Sequence, residues 1–220
     1  EPGTEAGAGD HGAMFPTGNV VDVLDVPGAG RLEATLIDAG LPTIFVEARS
    51  LGLVGTELQR DVNSNRELLD RIETIRTHGA VAMKLAATPG EAGGRAHTPK
   101  VCYVAGSADY TASDGRPVKA ADVDLVARVF SMGPLHHAMT GTGAVALAAA
   151  ASIGGTIPNR LATRRPDGRL SFGHPSGTLT VGAEATRTDG QWSVSRVTLS
   201  RSARRLMEGW VRVPDPASSA

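Results

Sequence analysis

The sequence is poor in cysteine, in excess charge of either sign and in long apolar runs, and each shortage excludes a class of protein. Cys102 is the single cysteine among 220 residues, so no internal disulfide forms, which is typical of a reducing compartment and predicts a cytoplasmic protein. The 22 basic and 23 acidic residues nearly cancel, which argues against a nucleic-acid or membrane partner. The longest apolar run, 144–153 with Ser152 inside it, falls short of the ~20 residues that a membrane helix needs.

The first residues have the composition of a linker, and the remainder that of a folded domain. Residues 1–13 are glycine-rich and acidic without apolar periodicity, and they lack the basic and apolar regions of a secretory signal. Because the chain does not begin with methionine, we expect a fragment of a longer protein in which 1–13 is a linker remnant. The 41% of hydrophobic residues is enough for 14–220 to build the core of one α+β domain.

Short apolar and β-branched segments between turn residues predict a mostly antiparallel sheet. Two strands flank "DAGLP" within "RLEATLIDAGLPTIFVEA", and "VCYVAG" predicts another strand after a loop at 88–100. Several more strands follow residue 168, with breaks at "HPSG" and at "TDG", which is a hairpin signal.

Three segments have helical patterns. Asn63 or Asn65 caps "RELLDRIETIRTHG", whose apolar residues fall at helical spacing until Gly79. A second helix is predicted to start near Ala120, after the turn in "ASDGRP". The third is "TGTGAVALAAAA", in which Thr140 or Gly141 stands at the N-terminus and the alanines allow close packing among strands.

The glycines at the start of this third helix indicate an anion site. Free backbone N–H groups and the helix dipole favour a carboxylate or phosphate there, and Gly141 and Gly143 let a ligand approach the backbone. A buried helix whose glycines serve only a tight entry is an equally good interpretation. The turns "FGHPSG" and "MFPTGN" also expose backbone amides and would converge on the same anion, although each alone is typical of an ordinary turn.

Other reactive side chains favour structural roles. His136 and His137 are adjacent and cannot both face one ion from a regular helix, so we predict no metal site. Cys102 lies in an apolar strand, which is typical of an inert thiol. Lys84 is more typical of a lysine at a sheet edge, or of one whose stem is buried and whose ammonium reaches solvent, than of a buried base. The arginines of "SRSARRLMEGWVRV" favour a solvated basic face over a carboxylate clamp.

Four separated segments occur in order between Met14 and Pro214: "FPTGN", "SMGPLHHAMTGTGAVA", "FGHPSGTLTVGAEA" and "LSRSARRLMEGWVRV". Together they resemble the PrpF family, the 2-methylaconitate cis-trans isomerases, whose relatives include 4-oxalomesaconate tautomerases. The resemblance implies a diaminopimelate epimerase-like fold, with a curved, mostly antiparallel sheet wrapped round a central helix. The resemblance covers only the second half of the length of the family's proteins. The family's catalytic lysine and cysteine belong to the first half, so the resemblance implies no catalytic residue here, neither Lys84 nor Cys102.

Two departures from the epimerases of this fold bear on the chemistry. They carry Cys-Gly-Thr-Gly at the central helix, and Thr140 takes the place of that cysteine. A threonine hydroxyl is a poor base towards carbon acids, so this half is expected to bind substrate rather than move the proton. Ser131, Met132 and Gly133 stand where those epimerases have Glu-Arg-Gly, which argues against an amino-acid substrate. A further departure, separate from the comparison with the epimerases, is Leu41 before the proline of "DAGLP", where a polar asparagine is expected, and it leaves the role of that turn open.

The resemblance implies an isomerase without cofactor that moves a proton and a double bond in an unsaturated tricarboxylate such as 2-methylaconitate. The alternatives are a 4-oxalomesaconate-type tautomerase and a non-catalytic accessory protein to an aconitase-like enzyme. The expected partners are the substrate, the N-terminal domain absent from this chain and a second copy in a homodimer. The predicted substrate-binding residues are Thr17, Gly18, Asn19, Met132, Gly133, His137, Thr140, Gly141, Thr142, Gly143, His174, Ser176 and Gly177.

Overall fold

The computed structural model describes residues 13–163, 168–200 and 204–213, and these residues form an α+β fold, as predicted. The strands are β1 Asp22–Val26, β2 Gly30–Asp38, β3 Pro42–Glu47, β4 Lys100–Gly106, β5 Tyr110–Thr111, β6 Pro117–Val118, β7 Leu125–Phe130, β8 Arg169–His174, β9 Gly177–Thr188 and β10 Gln191–Leu199. The helices are α1 Gln59–Asn63, α2 Arg66–Ala82, α3 Pro89–Gly93, α4 Gly141–Ser152 and α5 Ile157–Leu161. The predicted linker lies outside the described residues, except for the exposed Ala13.

One sheet organises the described residues, with the strand order β1-β2-β3-β4-β7-β8-β9-β10. The pairs β3/β4 and β7/β8 are parallel, and the other neighbours are antiparallel. Helix α4 contacts β2 and β3 on one side of the order and β9 and β10 on the other, so the sheet wraps round this helix. The predicted arrangement of a curved, mostly antiparallel sheet round a central helix is therefore confirmed.

The alanines of α4 form part of the main hydrophobic core. Ala144, Ala146 and Ala149 are completely buried, and they pack in one cluster with Phe45 and Phe172 from the surrounding strands. Side chains this small let the helix axis lie close to the sheet at the dense packing of protein interiors. The body of α4 therefore belongs to the core, and its first turn is the part that is available to bind a ligand.

Helix α2 covers the opposite face of the sheet. Asn65 is its N-cap, because the Asn65 side chain accepts a hydrogen bond from Leu68 N at 3.1 Å. The predicted end at Gly79 is wrong, since the helix continues to Ala82. Gly79 lies against β3, where an added Cβ would be 2.2 Å from Ile44 Cδ1. This glycine therefore serves helix–strand packing rather than helix termination.

Two other local predictions are corrected by the structure. No α-helix starts near Ala120; a 3-10 helix at Ala120–Asp122 precedes β7, whose six residues are all buried. A central strand is apolar on both faces, so its sequence does not alternate and imitates a helical pattern. The predicted loop at 88–100 contains α3, which Thr88 caps. The "TDG" hairpin is confirmed, with Asp189 and Gly190 at positive φ between β9 and β10.

Of the motif "SRSARRLMEGWVRV", the structure describes Ser200 and residues 204–213, and these have no regular secondary structure. Arg201 lies outside the described residues, whereas Arg204 and Arg205 are exposed and Arg205 pairs with Glu208 at 2.7 Å. Arg204 and Arg205 therefore belong to a solvated face, as does the exposed Arg212. Among the described helices, none has the length and apolar character needed to cross a membrane.

Candidate functional site

The N-terminus of α4 has the geometry that the glycine pattern predicts. Thr140 is the N-cap: its backbone is extended and its Oγ1 accepts a hydrogen bond from Gly143 N at 3.1 Å. Within the described structure, no hydrogen-bond acceptor is assigned to the N–H groups of Gly141 and Thr142. An added Cβ on Gly143 would lie 2.6 Å from Thr140 Oγ1, so the cap requires glycine there. Free N–H groups at the positive end of a 12-residue helix suit a carboxylate ligand.

The turn between β8 and β9 meets the segment that leads into α4. Ser176 Oγ donates a hydrogen bond to the carbonyl oxygen of His137, three residues before the cap. Ser176 N donates to His174 Nδ1 at 3.2 Å, and Gly177 has a φ of 131° that favours glycine. The structure therefore brings together two of the predicted motifs, which are far apart in the sequence.

The hairpin of β5 and β6 holds this turn by its backbone carbonyls. Tyr110 Oη lies 2.8 Å from His174 O and 2.6 Å from Gly177 O, and Ser113 N donates to Pro175 O at 2.8 Å. An added Cβ on Gly173 would lie 2.8 Å from the Tyr110 ring, so the glycine in "FGHPSG" makes room for the tyrosine. The carbonyl groups of His174, Pro175 and Gly177 are thus occupied by the protein itself.

Arg128 lies completely buried behind the same turn. Its Nε donates to Glu57 O at 2.6 Å, its Nη1 donates to Gly173 O at 3.3 Å, and its Cζ lies 5.0 Å from the Tyr110 ring centroid. Its Nη2 has no partner among the described residues. Burial lowers the pKa of Arg128 from its ordinary value. Sequence reasoning missed both Arg128 and Tyr110, because neither belongs to a local motif.

His174 is neutral at physiological pH. Burial is the main cause that lowers its pKa to about 4, and the nearby Arg128 guanidinium and His137 lower it further. The residue is 9% exposed, and its ring packs at a tilt against the ring of Phe172. A neutral imidazole beside an anion site offers hydrogen bonds rather than charge.

The predicted turn that contains Met132 and Gly133 follows β7 directly. Both residues have positive φ, and Ser131 N donates to Pro134 O at 3.0 Å, so the chain reverses here towards α4. Met132 is 70% exposed. Lys100 Nζ, at the start of β4, donates to Ser131 Oγ at 2.8 Å. Sequence reasoning did not select Lys100.

The third predicted turn, Thr17 to Asn19, uses its polar groups locally. Thr17 Oγ1 donates to one Asp22 oxygen at 2.7 Å, and Asn19 Nδ2 donates to the other at 2.8 Å. Gly18 has a φ of 82°. Within the described residues, no hydrogen bond joins this turn to the α4 start or to Ser176. The nearby Met14 and Phe15 do share the main core with α4.

The remaining side chains of reactive type lie apart from these turns or are unreactive in their surroundings. Cys102 is buried, and burial raises its pKa to about 12, which describes an inert thiol. Lys84 is exposed at the end of α2. In the parts of the chain that the structure describes, no cluster of three or more His, Cys, Asp or Glu residues is placed to hold a metal ion.

The fold and this geometry define an α+β protein in which a helix N-terminus, the two-residue β8–β9 turn and the turn that Lys100 contacts through Ser131 stand at one end of the sheet. The family model of the PrpF protein matches residues 4–214, so the chain belongs to the PrpF family.

Named relatives agree with this membership. The chain is 55% identical over 208 residues to the 2-methyl-aconitate isomerase of Shewanella oneidensis, covering 94% of this chain and 52% of the relative. It is 37% identical over 205 residues to the 3-methylitaconate isomerase of Eubacterium barkeri, covering 92% and 53%. The crystal structure of a methylitaconate-delta-isomerase superposes with a TM-score of 0.80 at 35% identity, covering 90% of this chain and 51% of that one. The chain thus spans about half the length of these relatives.

Proposed function

We propose that this chain supplies the carboxylate-binding half of the active-site cleft of an isomerase. The reaction moves a proton and a double bond in an unsaturated tricarboxylate such as 2-methylaconitate, without a cofactor. The observation that carries the proposal is the hydrogen bond between Ser176 and His137, which joins the β8–β9 turn to the segment that enters α4. The names of the relatives that are 55% and 37% identical support the reaction class.

The proposed chemistry is proton transfer at carbon. A base removes a proton from a carbon next to the double bond, the electron pair delocalises towards a carboxylate, and a proton returns after the double bond has shifted or rotated. The intermediate carries extra negative charge on carboxylate oxygens. Backbone N–H groups at Gly141 and Thr142, at the positive end of α4, would stabilise that charge.

The proton-moving groups belong, in this proposal, to the half that the chain does not span. Thr140 uses its Oγ1 as a helix cap, and Cys102 is a buried thiol with a raised pKa, so neither is a base for carbon acids. The chain therefore acts as a domain of a longer isomerase, and the isolated 220-residue piece is expected to be inactive. We also propose a cytoplasmic location, which the single thiol supports, and a homodimer as its assembly.

Proton-exchange NMR in D2O tests this function on the full-length protein, in which this chain is joined to the other half of the family. We expect the full-length protein to exchange and isomerise 2-methylaconitate, and the 220-residue piece to do neither. Exchange with 4-oxalomesaconate instead would identify the tautomerase alternative; a 31% identical relative from Novosphingobium is named a (4E)-oxalomesaconate Delta-isomerase. No exchange with either compound would favour the accessory alternative.

A further inference from the structure

Lys100 is a buried cation that lacks a counter-charge in the described structure. It is 9% exposed, its ammonium donates one hydrogen bond, to Ser131 Oγ at 2.8 Å, and no described carboxylate forms an ion pair with it. An ammonium has three N–H donors and is costly to bury unless it is paired. Burial accordingly lowers the pKa of Lys100 from its ordinary value.

A second buried cation shows what a structural role demands. Arg76 is 4% exposed, and it forms an ion pair with Glu73 at 2.6 Å. It also donates to three backbone carbonyl groups of the loop around α3, those of Ala92, Arg95 and Thr98. Arg76 is therefore neutralised and satisfied by the fold, whereas Lys100 is held by one neutral hydroxyl.

The place of Lys100 in the sheet points to what its charge is for. Strands β4 and β7 are antiparallel with Val101 opposite Phe130, so Lys100 faces Ser131, where the Met132–Gly133 turn begins. That turn leads back along β7, with His136 N donating to Val129 O, and then into the cap of α4. The Lys100 side chain therefore lies at the C-terminal end of β7, the end from which the chain runs into the N-terminus of α4.

A neighbouring hydroxyl is in the same unsatisfied condition. Thr98 lies two residues before Lys100, is 7% exposed, and its Oγ1 has no hydrogen-bond partner among the described residues. Buried polar atoms in folded proteins are normally hydrogen-bonded, and exceptions often mark functional sites. The segment from Thr98 to Lys100 thus holds both a buried charge and a buried hydroxyl without full partners.

We propose that Lys100 is a substrate-binding residue that forms an ion pair with one carboxylate of the tricarboxylate, with Ser131 orienting its ammonium. The inference rests on the proposed function and adds to it a fixed positive charge for one carboxylate. The N-terminus of α4 then binds a second carboxylate. A ligand with at least two carboxylates bridges the two positive features at this end of the sheet.

The test compares Lys100→Met with Lys84→Met in the full-length protein. Both variants replace a lysine by an apolar side chain of similar length, but Lys84 is exposed and outside the site. Isothermal titration uses tricarballylate, a saturated tricarboxylate that cannot isomerise. We expect Lys100→Met to raise the Kd for tricarballylate, and the KM for the substrate 2-methylaconitate, about 10- to 100-fold. Lys84→Met should leave both unchanged.

Thermal unfolding separates a binding role from a structural one. Replacing an unpaired buried ammonium by methionine removes its desolvation cost, so Tm should rise while affinity falls. Ser131→Ala keeps the charge but loses its orienting hydroxyl, and we expect a smaller rise in Kd. The inference is overturned if wild-type protein does not bind tricarballylate, if Lys100→Met binds it with unchanged Kd, or if Lys100→Met lowers Tm. Failure of wild-type protein to turn over 2-methylaconitate rejects the proposed function separately, because the titration requires no turnover.

Discussion

The hydroxyl of Tyr110 is predicted to control both stability and substrate affinity through the β8–β9 turn. One O–H group lies 2.8 Å from His174 O and 2.6 Å from Gly177 O, and burial raises the pKa of Tyr110, so the hydroxyl keeps its proton. Tyr110→Phe leaves two carbonyl groups of the turn without this donor, at a cost of about 1–2 kcal/mol. The ring remains, and with it the packing against Arg128 and Gly173.

Two measurements follow from this change. Urea denaturation should show a free energy of unfolding lower by about 1–2 kcal/mol. Steady-state kinetics on the full-length protein should show a KM for 2-methylaconitate raised a few-fold with little change in kcat, because the loosened turn carries Ser176.

The matched control is the other tyrosine, Tyr103, whose Oη donates to Glu57 Oε2 at 3.2 Å rather than to a carbonyl group of the turn. Tyr103→Phe should lower stability by a similar amount and leave KM unchanged. Equal rises in KM for both variants, or unchanged stability and KM for Tyr110→Phe, would refute the role assigned to the Tyr110 hydroxyl.

Two further predictions concern packing and pH. Gly79→Ala should destabilise the protein by about 1–3 kcal/mol, because the new Cβ would meet Ile44 Cδ1 at 2.2 Å. Adding Ile44→Val removes that atom, so in urea denaturation the double variant should lose less stability than the sum of the two single losses. Simple additivity of the two losses would contradict a steric contact between these residues. His174 has a pKa lowered to about 4 from its ordinary 6.5, so between these pH values the unfolded chain binds more protons than the folded protein, and stability should fall as pH drops through that window. His174→Asn should flatten this part of the curve of Tm against pH. An unchanged slope would show that other groups cause the pH dependence.

Most of the fold is predictable because its signals are local. The cap at Thr140, the cap at Asn65 and the turn at Asp189–Gly190 each depend on residues within a few positions, and the structure has all three. Strand β7 is different, because its six consecutive buried residues include Arg128, and only its neighbours β4 and β8 make such a segment a strand. Gly79 is likewise explained by Ile44, which is distant in sequence.

The candidate site was partly predictable for the same reason. The glycine turns are visible in the sequence, whereas the side chains that support them are recruited over long distances. Tyr110 contacts a turn 64 residues away, and Lys100 contacts Ser131 across 31 residues. A single lysine before an apolar strand has no local signature, so its burial and its missing counter-charge become visible only in three dimensions.

The charges of the described site suit substrate binding rather than proton transfer in the proposed reaction. Lys100 and the N-terminus of α4 contribute positive potential, and His174, with a pKa of about 4, contributes a neutral ring. An imidazole with so low a pKa is a weak base for a carbon acid near neutral pH, and Cys102, with a pKa of about 12, holds its proton. These groups can hold and polarise carboxylates, but they do not efficiently accept a proton from carbon. Substitutions in this half should therefore appear mainly as increases in KM, and large losses of kcat should arise from the half that supplies the base.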